Sequence, residues 1–241
     1  MKTLMEVAVI CSMLMCSWAW GGEGKADEKA AALAAEVMVA MGGAPAYEST
    51  RFLTWRFFGK RYHVWDKHTG DIRVEDGKGL VVVMNLNTKK GRAWNEGTEV
   101  TDPTMLAEKL DSGYRAWIND SYWLVMPYKL RDPGTTLAYT RTATTEDGRA
   151  ADVLTLTFEE VGVTPENKYE IFVDQETKLV TQWSFFKNFA DAEPGFINPW
   201  LNWTKHGEIM LSDDRGRGKH TDVAVLIEVP AGTFSELTVS K

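Results

Sequence analysis

Tyr169-Glu170-Ile171-Phe172-Val173-Asp174-Gln175-Glu176-Thr177-Lys178-Leu179-Val180-Thr181-Gln182-Trp183-Ser184-Phe185-Phe186 decides the fold class of this chain. Tyr169, Ile171 and Val173 recur with period two. Asp174 to Lys178 supply turn chemistry, and Leu179, Thr181, Trp183 and Phe185 then recur with period two again. Successive side chains of a strand point to opposite faces, so the stretch reads as an antiparallel hairpin with one apolar face.

Working outward, residues 51–58, 61–66, 71–75, 80–86 and 92–96 read as strands. They are separated by Gly59-Lys60, Lys67-His68-Thr69-Gly70, Asp76-Gly77-Lys78-Gly79 and residues 87–91. Turns at this spacing predict an antiparallel meander. Residues 80–86 are almost continuously apolar, as a buried strand is. Beyond the middle of the chain, 135–144 and 151–159 read as strands leading into the hairpin. Residues 190–199 read as a proline-rich loop. The last strands are expected at 205–212 and 222–229, joined by the charged loop 213–220.

Two stretches carry helical periodicity instead. Asp27 is placed to cap a helix whose Ala30, Leu33, Ala34, Val37, Met38 and Met41 form one stripe, ended by Gly42-Gly43. Asp102-Pro103 is an N-cap followed by a first-turn proline, and Leu106, Leu110, Tyr114 and Trp117 continue as a stripe. Residues 119–127 follow as a short aromatic segment closed by Pro127. Its part from Tyr122 to Pro127 reads either as a lid over the sheet or as a fixed connecting helix.

The chain has 241 residues and a net charge of −7, which argues against nucleic acid and anionic membrane surfaces as partners. Residues 1–21 read as a signal peptide. Lys2 is a short positive region, 7–15 is an apolar core too brief to span a bilayer, and Ser17-Trp18-Ala19 and Ala19-Trp20-Gly21 suit cleavage. Glu6 is an unusual residue beside such a core. Met15 stands where lipidation prefers a small residue, which argues against an anchor at Cys16. Both cysteines, Cys11 and Cys16, fall in this segment, so residues 22–241 hold no thiol for a disulfide, a metal or catalysis.

Several strings resemble a family of exported bacterial proteins of unknown function. They are Gly42-Gly43, Trp55-Arg56-Phe57-Phe58-Gly59-Lys60-Arg61, Trp65-Asp66-Lys67-His68-Thr69-Gly70-Asp71-Ile72-Arg73, residues 119–123, and Met126-Pro127-Tyr128-Lys129-Leu130-Arg131-Asp132-Pro133-Gly134. The turn from Phe172 to Val180 is similar to a hairpin of the wider LolA-like superfamily, the outer-membrane lipoprotein carriers and their relatives. The resemblance implies an α+β fold, an incomplete curved antiparallel β-barrel wrapped around a few helices, with 22–241 as a single LolA-like domain. It also implies an apolar cavity, which in the carriers holds acyl chains. It brings no catalytic residues.

Ten tryptophans call for either a large core or a binding face. Trp55, Trp65, Trp94 and Trp183 fall on strands, and Trp117 and Trp123 in the helical middle. With Met126 and Phe185 they are the candidates for lining a cavity, and plain core is the other reading. Asp66 and Arg73 flank a turn and are expected to pair across strands, as a hairpin tie or as a polar anchor for a ligand. His63 and His68 lack a metal-protease spacing. His206, His220, Asp213 and Asp214 read as exposed loop residues rather than a metal site. The neighbouring acids Glu159-Glu160 and Asp213-Asp214 point opposite ways on a strand, unlike the facing pair of a glycosidase. No nucleophile elbow, phosphate loop or dinucleotide fingerprint occurs.

These readings lead to an exported non-enzymatic protein of the bacterial periplasm or envelope. Its expected partner is a hydrophobic small molecule or lipid, with no cofactor, metal or nucleic acid. The alternatives are an envelope module with a filled core that contacts another protein, and a carbohydrate binder with a flat tryptophan row on its convex face.

Overall fold

The computed structural model describes residues 23–159 and 161–239. The signal-peptide reading, with Cys11 and Cys16, lies outside the described residues, as does Glu160.

The strands are β1 (Lys25–Ala26), β2 (Phe52–Phe57), β3 (Arg61–Asp66), β4 (Asp71–Glu75), β5 (Leu80–Asn85), β6 (Gly91–Asn95), β7 (Thr98–Glu99), β8 (Thr135–Thr144), β9 (Ala150–Phe158), β10 (Lys168–Asp174), β11 (Val180–Phe186), β12 (Phe196–Pro199), β13 (Leu201–His206), β14 (Ile209–Asp214) and β15 (Thr221–Leu226). The helices are α1 (Glu28–Ala40), α2 (Ala44–Ser49) and α3 (Pro103–Val125), with a 3₁₀ turn over Met126–Lys129. The strands form a six-stranded sheet in the order β1-β8-β9-β10-β11-β12 and a seven-stranded sheet in the order β15-β2-β3-β4-β5-β6-β7. Every pairing is antiparallel except β1 with β8. The result is the α+β architecture expected, an open arrangement of sheets around helices rather than a closed barrel.

Local chemistry accounts for the helix ends. The Asp27 carboxylate accepts from the Ala30 amide at 2.8 Å and, with its other oxygen, from the Tyr139 amide at 2.8 Å. One side chain thus caps α1 and ties it to β8. Gly42 leaves α1 at φ +109°, and a Cβ there would lie 2.4 Å from the Glu208 carbonyl oxygen. The Asp102 carboxylate caps α3 through the Met105 amide at 2.9 Å. The α3 stripe of Leu106, Leu110, Tyr114 and Trp117 packs on Ile72, Val74, Val82 and Met84 of the seven-stranded sheet. The helix comes close enough at Gly113 that a Cβ there would lie 2.7 Å from Val82 Cγ1. Gly113→Ala gains helix propensity of about 1 kcal/mol but overpacks this contact, at a cost of about 1–3 kcal/mol. A net loss of roughly 1 kcal/mol is expected in urea unfolding, and an unchanged midpoint would refute the close-packing account.

The main core lies between the inner faces of both sheets, α1 and the end of α3. Trp55, Trp183 and Trp200 are its largest fully buried apolar side chains. At roughly 25 cal/mol per Å² and ~200 Å² of ring, each contributes on the order of 5 kcal/mol of transfer free energy, as an upper bound.

Several expectations are corrected. Residues 205–212 are not one strand: Gly207 turns the chain, and β13 and β14 form a hairpin. Within 190–199, Phe196–Pro199 is an edge strand on β11. Tyr122 to Val125 is the last turn of the 23-residue α3, not a separate short helix. Asp66 and Arg73 do not pair. Asp66 lies opposite Asp71 and accepts from Arg51 at 2.9 Å, whereas Arg73 lies opposite Val64. A register two residues away from the one that would pair them separates the two, which sequence spacing alone does not reveal. In the deciding hairpin a bulge at Thr181 breaks the period-two pattern, so Val180 rather than Thr181 joins Trp183 in the core.

Candidate functional site

A cavity of about 520 Å³ opens between the C-terminal half of α3 and one end of the six-stranded sheet. Trp117, Tyr122 and Trp123 line it from the helix. Phe158, Tyr169, Trp183, Phe185 and Phe196 line it from β9 to β12. The connecting segment 161–167, together with Lys129, Asp132 and Thr135, forms the rim.

Period two in the strands creates this wall. Phe158, Tyr169 and Phe185 sit opposite or diagonal to one another on adjacent strands, and Phe185 pairs with Phe196. The rings make a continuous run. Trp183 stacks on Tyr169 at 4.9 Å, Phe185 on Phe196 at 4.7 Å, and Phe196 on Trp123 at 5.8 Å. Trp123 meets Trp183 edge-on at 4.8 Å. Burial raises the Tyr122 hydroxyl well above its usual range, and that hydroxyl has no partner, so it is a neutral phenol. At the rim Lys129 and Asp132 form an ion pair. The cavity therefore offers ring surface and few charges.

Of the eight residues singled out in the sequence, Trp117, Trp123, Trp183 and Phe185 line this cavity. Trp55 is buried and stacked on His63 at 4.5 Å. Trp65 packs edge-on against Trp117 at 5.1 Å and does not itself line the cavity. Met126 is buried in the core. Trp94 belongs to the opposite face of the seven-stranded sheet, because Ala93, not Trp94, packs beneath α3, and the Arg92 guanidinium lies 4.7 Å from its ring centre. Tyr122, Phe158, Tyr169 and Phe196 complete the wall and were not singled out. Phe158 and Tyr169 stood on the apolar faces of expected strands, a signal that was available.

Behind Trp123 lies a buried polar cluster that the sequence did not announce. The Arg61 guanidinium donates to both oxygens of Asp120 at 2.6 Å, and His63 Nε2 lies 2.7 Å from Asp120 Oδ2. His63 and Asp120 are fully buried. Desolvation lowers the His63 pKa against the raising effect of Asp120, so the imidazole is neutral and donates Nε2–H. Asp120 is held below its ordinary range by Arg61 and His63, against the burial that would raise it. An Asp–His pair of this kind orients a base in hydrolases. Here the other nitrogen, Nδ1, is buried with no hydrogen-bond partner among the described residues, so no hydroxyl is held against it as a nucleophile is in those enzymes. The pair locks α3 to β3.

A second device fixes Trp123. Pro127 has no N–H, so the Trp123 carbonyl cannot receive the usual helical bond. Arg215 Nη2 donates to it at 2.6 Å and His220 Nε2 at 3.2 Å. Arg215 is fully buried over the Trp200 ring at 3.5 Å, and burial lowers its pKa to about 9. His220, expected as an exposed loop residue, is only 2% exposed, and desolvation lowers its pKa to about 3. It stacks on Phe58 at 5.3 Å. His206 instead bonds Thr204 at 2.9 Å. No cluster of three metal-ligating side chains occurs among the described residues.

No family model and no curated protein matches the chain. Among solved structures, a DUF1329 family protein from Desulfovibrio piger is similar at a TM-score of 0.45 and 10% identity, over 86% of this chain and 97% of its own. MucB is similar at 0.27 and 12% identity, over 78% of this chain and 66% of MucB. MucB in complex with MucA(peri) is similar at 0.23 and 14% identity, over 74% and 60%. Superpositions this loose assign neither a family nor an activity.

Proposed function

We propose that this chain is an exported, non-enzymatic protein that holds a hydrophobic molecule of lipid or acyl-chain type in the ring-lined cavity. On this reading residues 1–21 are a signal peptide, 22–241 form a single LolA-like domain, and the protein works in the periplasm or envelope of a bacterium without a lipid anchor at Cys16. The observation that carries the reading is the cavity of about 520 Å³ walled by stacked aromatic rings. Ligand pockets are typically apolar concavities of about 300–1,000 Å³ with few polar groups. Among its described lining residues the one carboxylate, Asp132, is paired with Lys129, and no second carboxylate faces it, which supports binding without chemistry.

The test is native mass spectrometry of protein expressed with its own first 21 residues and purified without detergent. A lipid-mass adduct released on denaturation is expected. Phe185 is half-buried on the wall, and Phe185→Ala should weaken binding of a fluorescent fatty acid roughly tenfold, the value of about 1.4 kcal/mol of lost ring contact. A clean apo mass together with no fatty-acid binding would move the protein to a filled-core envelope module.

A further inference from the structure

The volume and shape of the ring-lined cavity narrow the ligand class, on the reading that this cavity holds a molecule of lipid type. A methylene group fills about as much space as a water molecule, ~30 Å³, so about 520 Å³ accommodates roughly 17 carbons. The cavity is open at its rim, so part of this space is mouth and the figure is a ceiling. A membrane lipid with two chains of ~16 carbons needs about 960 Å³ for its chains alone, nearly twice the cavity.

The walls offer no further room. Trp183 is fully buried, and the equally buried Trp200 stands edge-on behind it at 5.6 Å. On the helix side Trp117 is backed by Trp65 at 5.1 Å. Rings backed by other rings at this spacing leave little slack, because interiors pack as densely as organic crystals. The rings also stand at steep angles. Trp123 meets Trp183 at 85°, Phe158 meets Tyr169 at 89°, and Tyr169 is tilted by 53° to Phe185. A rigid fused-ring ligand fits best between parallel faces. A wall that turns through right angles suits a chain that can bend at every carbon.

Most polar groups on the lining are already engaged. Asn119 donates to Asp120, Thr135 to the Asp132 carbonyl and Asn167 to the Lys187 carbonyl. The Lys129–Asp132 pair remains at the rim, with both side chains more than one-third exposed and no net charge. It gives a head group a wet, neutral place outside the rings. We infer that the ligand carries a single acyl chain of at most about 17 carbons, seated among the rings with its head at the rim, and that two-chain membrane lipids do not fit.

The test is displacement of a fluorescent fatty acid from the purified protein by two series, saturated fatty acids and lysophosphatidylcholines. Each runs from roughly 8 to 22 carbons, below its micelle concentration. Affinity should climb about fourfold per added methylene and stop climbing at roughly 16–17 carbons. Both series should break at the same length, because the head stays outside. A two-chain phosphatidylcholine and a sterol should each compete at least tenfold less well than the best fatty acid. Phe196→Ala, which widens the wall on the edge strand β12, should carry the break to longer chains with the far-ultraviolet spectrum unchanged. The single-chain limit would be overturned by any of three results, each of which leaves the hydrophobic-ligand reading standing. These are an affinity that climbs without a break, a phosphatidylcholine or sterol that competes as well as the fatty acid, or a break that Phe196→Ala leaves in place. If the fluorescent fatty acid itself does not bind, the limit and the reading it rests on fall together.

Discussion

Asp120→Asn is expected to lower the unfolding free energy by about 3 kcal/mol, because it removes one partner of a buried charge cluster without removing the others. Asn keeps the size of the carboxylate and can still accept one bond. It cannot balance Arg61, whose two bonds at 2.6 Å converge on that carboxylate. The Arg61 side chain is one-third exposed, so water screens part of the loss, and the figure sits at the low end of the range for buried pairs. For a domain of this size about 3 kcal/mol corresponds to roughly 6–12 °C in Tm. The check is urea and thermal unfolding of the variant beside Arg61→Met, with the double variant completing the cycle. If Asp120→Asn unfolds at the wild-type midpoint, the cluster does not hold α3 to β3.

Acid should destabilise the fold well above the range where carboxylates titrate. His220 is a base whose folded pKa is lowered to about 3, by desolvation first and then by the Arg215 charge, against an unfolded value near ~6.5. It is neutral when folded, so between about pH 6.5 and 3 the unfolded chain binds a proton that the folded chain refuses. Stability is complete above about pH 6.5 and falls as pH drops. At pH 5 the His220 contribution to the loss is about 2 kcal/mol. His63, facing Asp120 and Arg61, is lowered too and acts in the same direction. Asp120 adds a separate loss below about pH 4, because a carboxylate held low contributes only while ionised. Urea midpoints at pH 7 and pH 5 check this, with His220→Phe expected to flatten the difference by about half. Equal midpoints at the two pH values would show that neither imidazole is held neutral by burial.

The strands of the meander and of the second sheet were legible because they depend on a local pattern. Residues 61–66, 71–75 and 135–144 coincide with β3, β4 and β8. Where the chain bulged or turned tightly the pattern misled, as at Thr181 and Gly207. The cavity was half legible. Trp183 and Phe185 stood out on an alternating strand, but so did Trp94, and nothing local says which face of a two-sided strand meets a helix. The Asp120 cluster was hidden because its members lie 59 and 57 residues apart in the chain. Only the spacing of Arg61 and His63, two apart on one strand face, hinted that they share a partner.

By itself the sequence determined the α+β class, the capped starts of α1 and α3, the turns, and the absence of a thiol from residues 22–241. All of these follow from short-range rules of backbone geometry, capping and composition. The tertiary structure decided which aromatic rings face the cavity, that α3 runs unbroken to Val125, and that Arg61, His63 and Asp120 meet. It also decided that Arg215 and His220 take the place of the amide Pro127 lacks, and that the backbone of residues 233–237 lies on Arg73 and Arg92. Each of these depends on which distant surfaces are pressed together, and burial, which sets the pKa values and the cost of each unpaired group, exists only once they are.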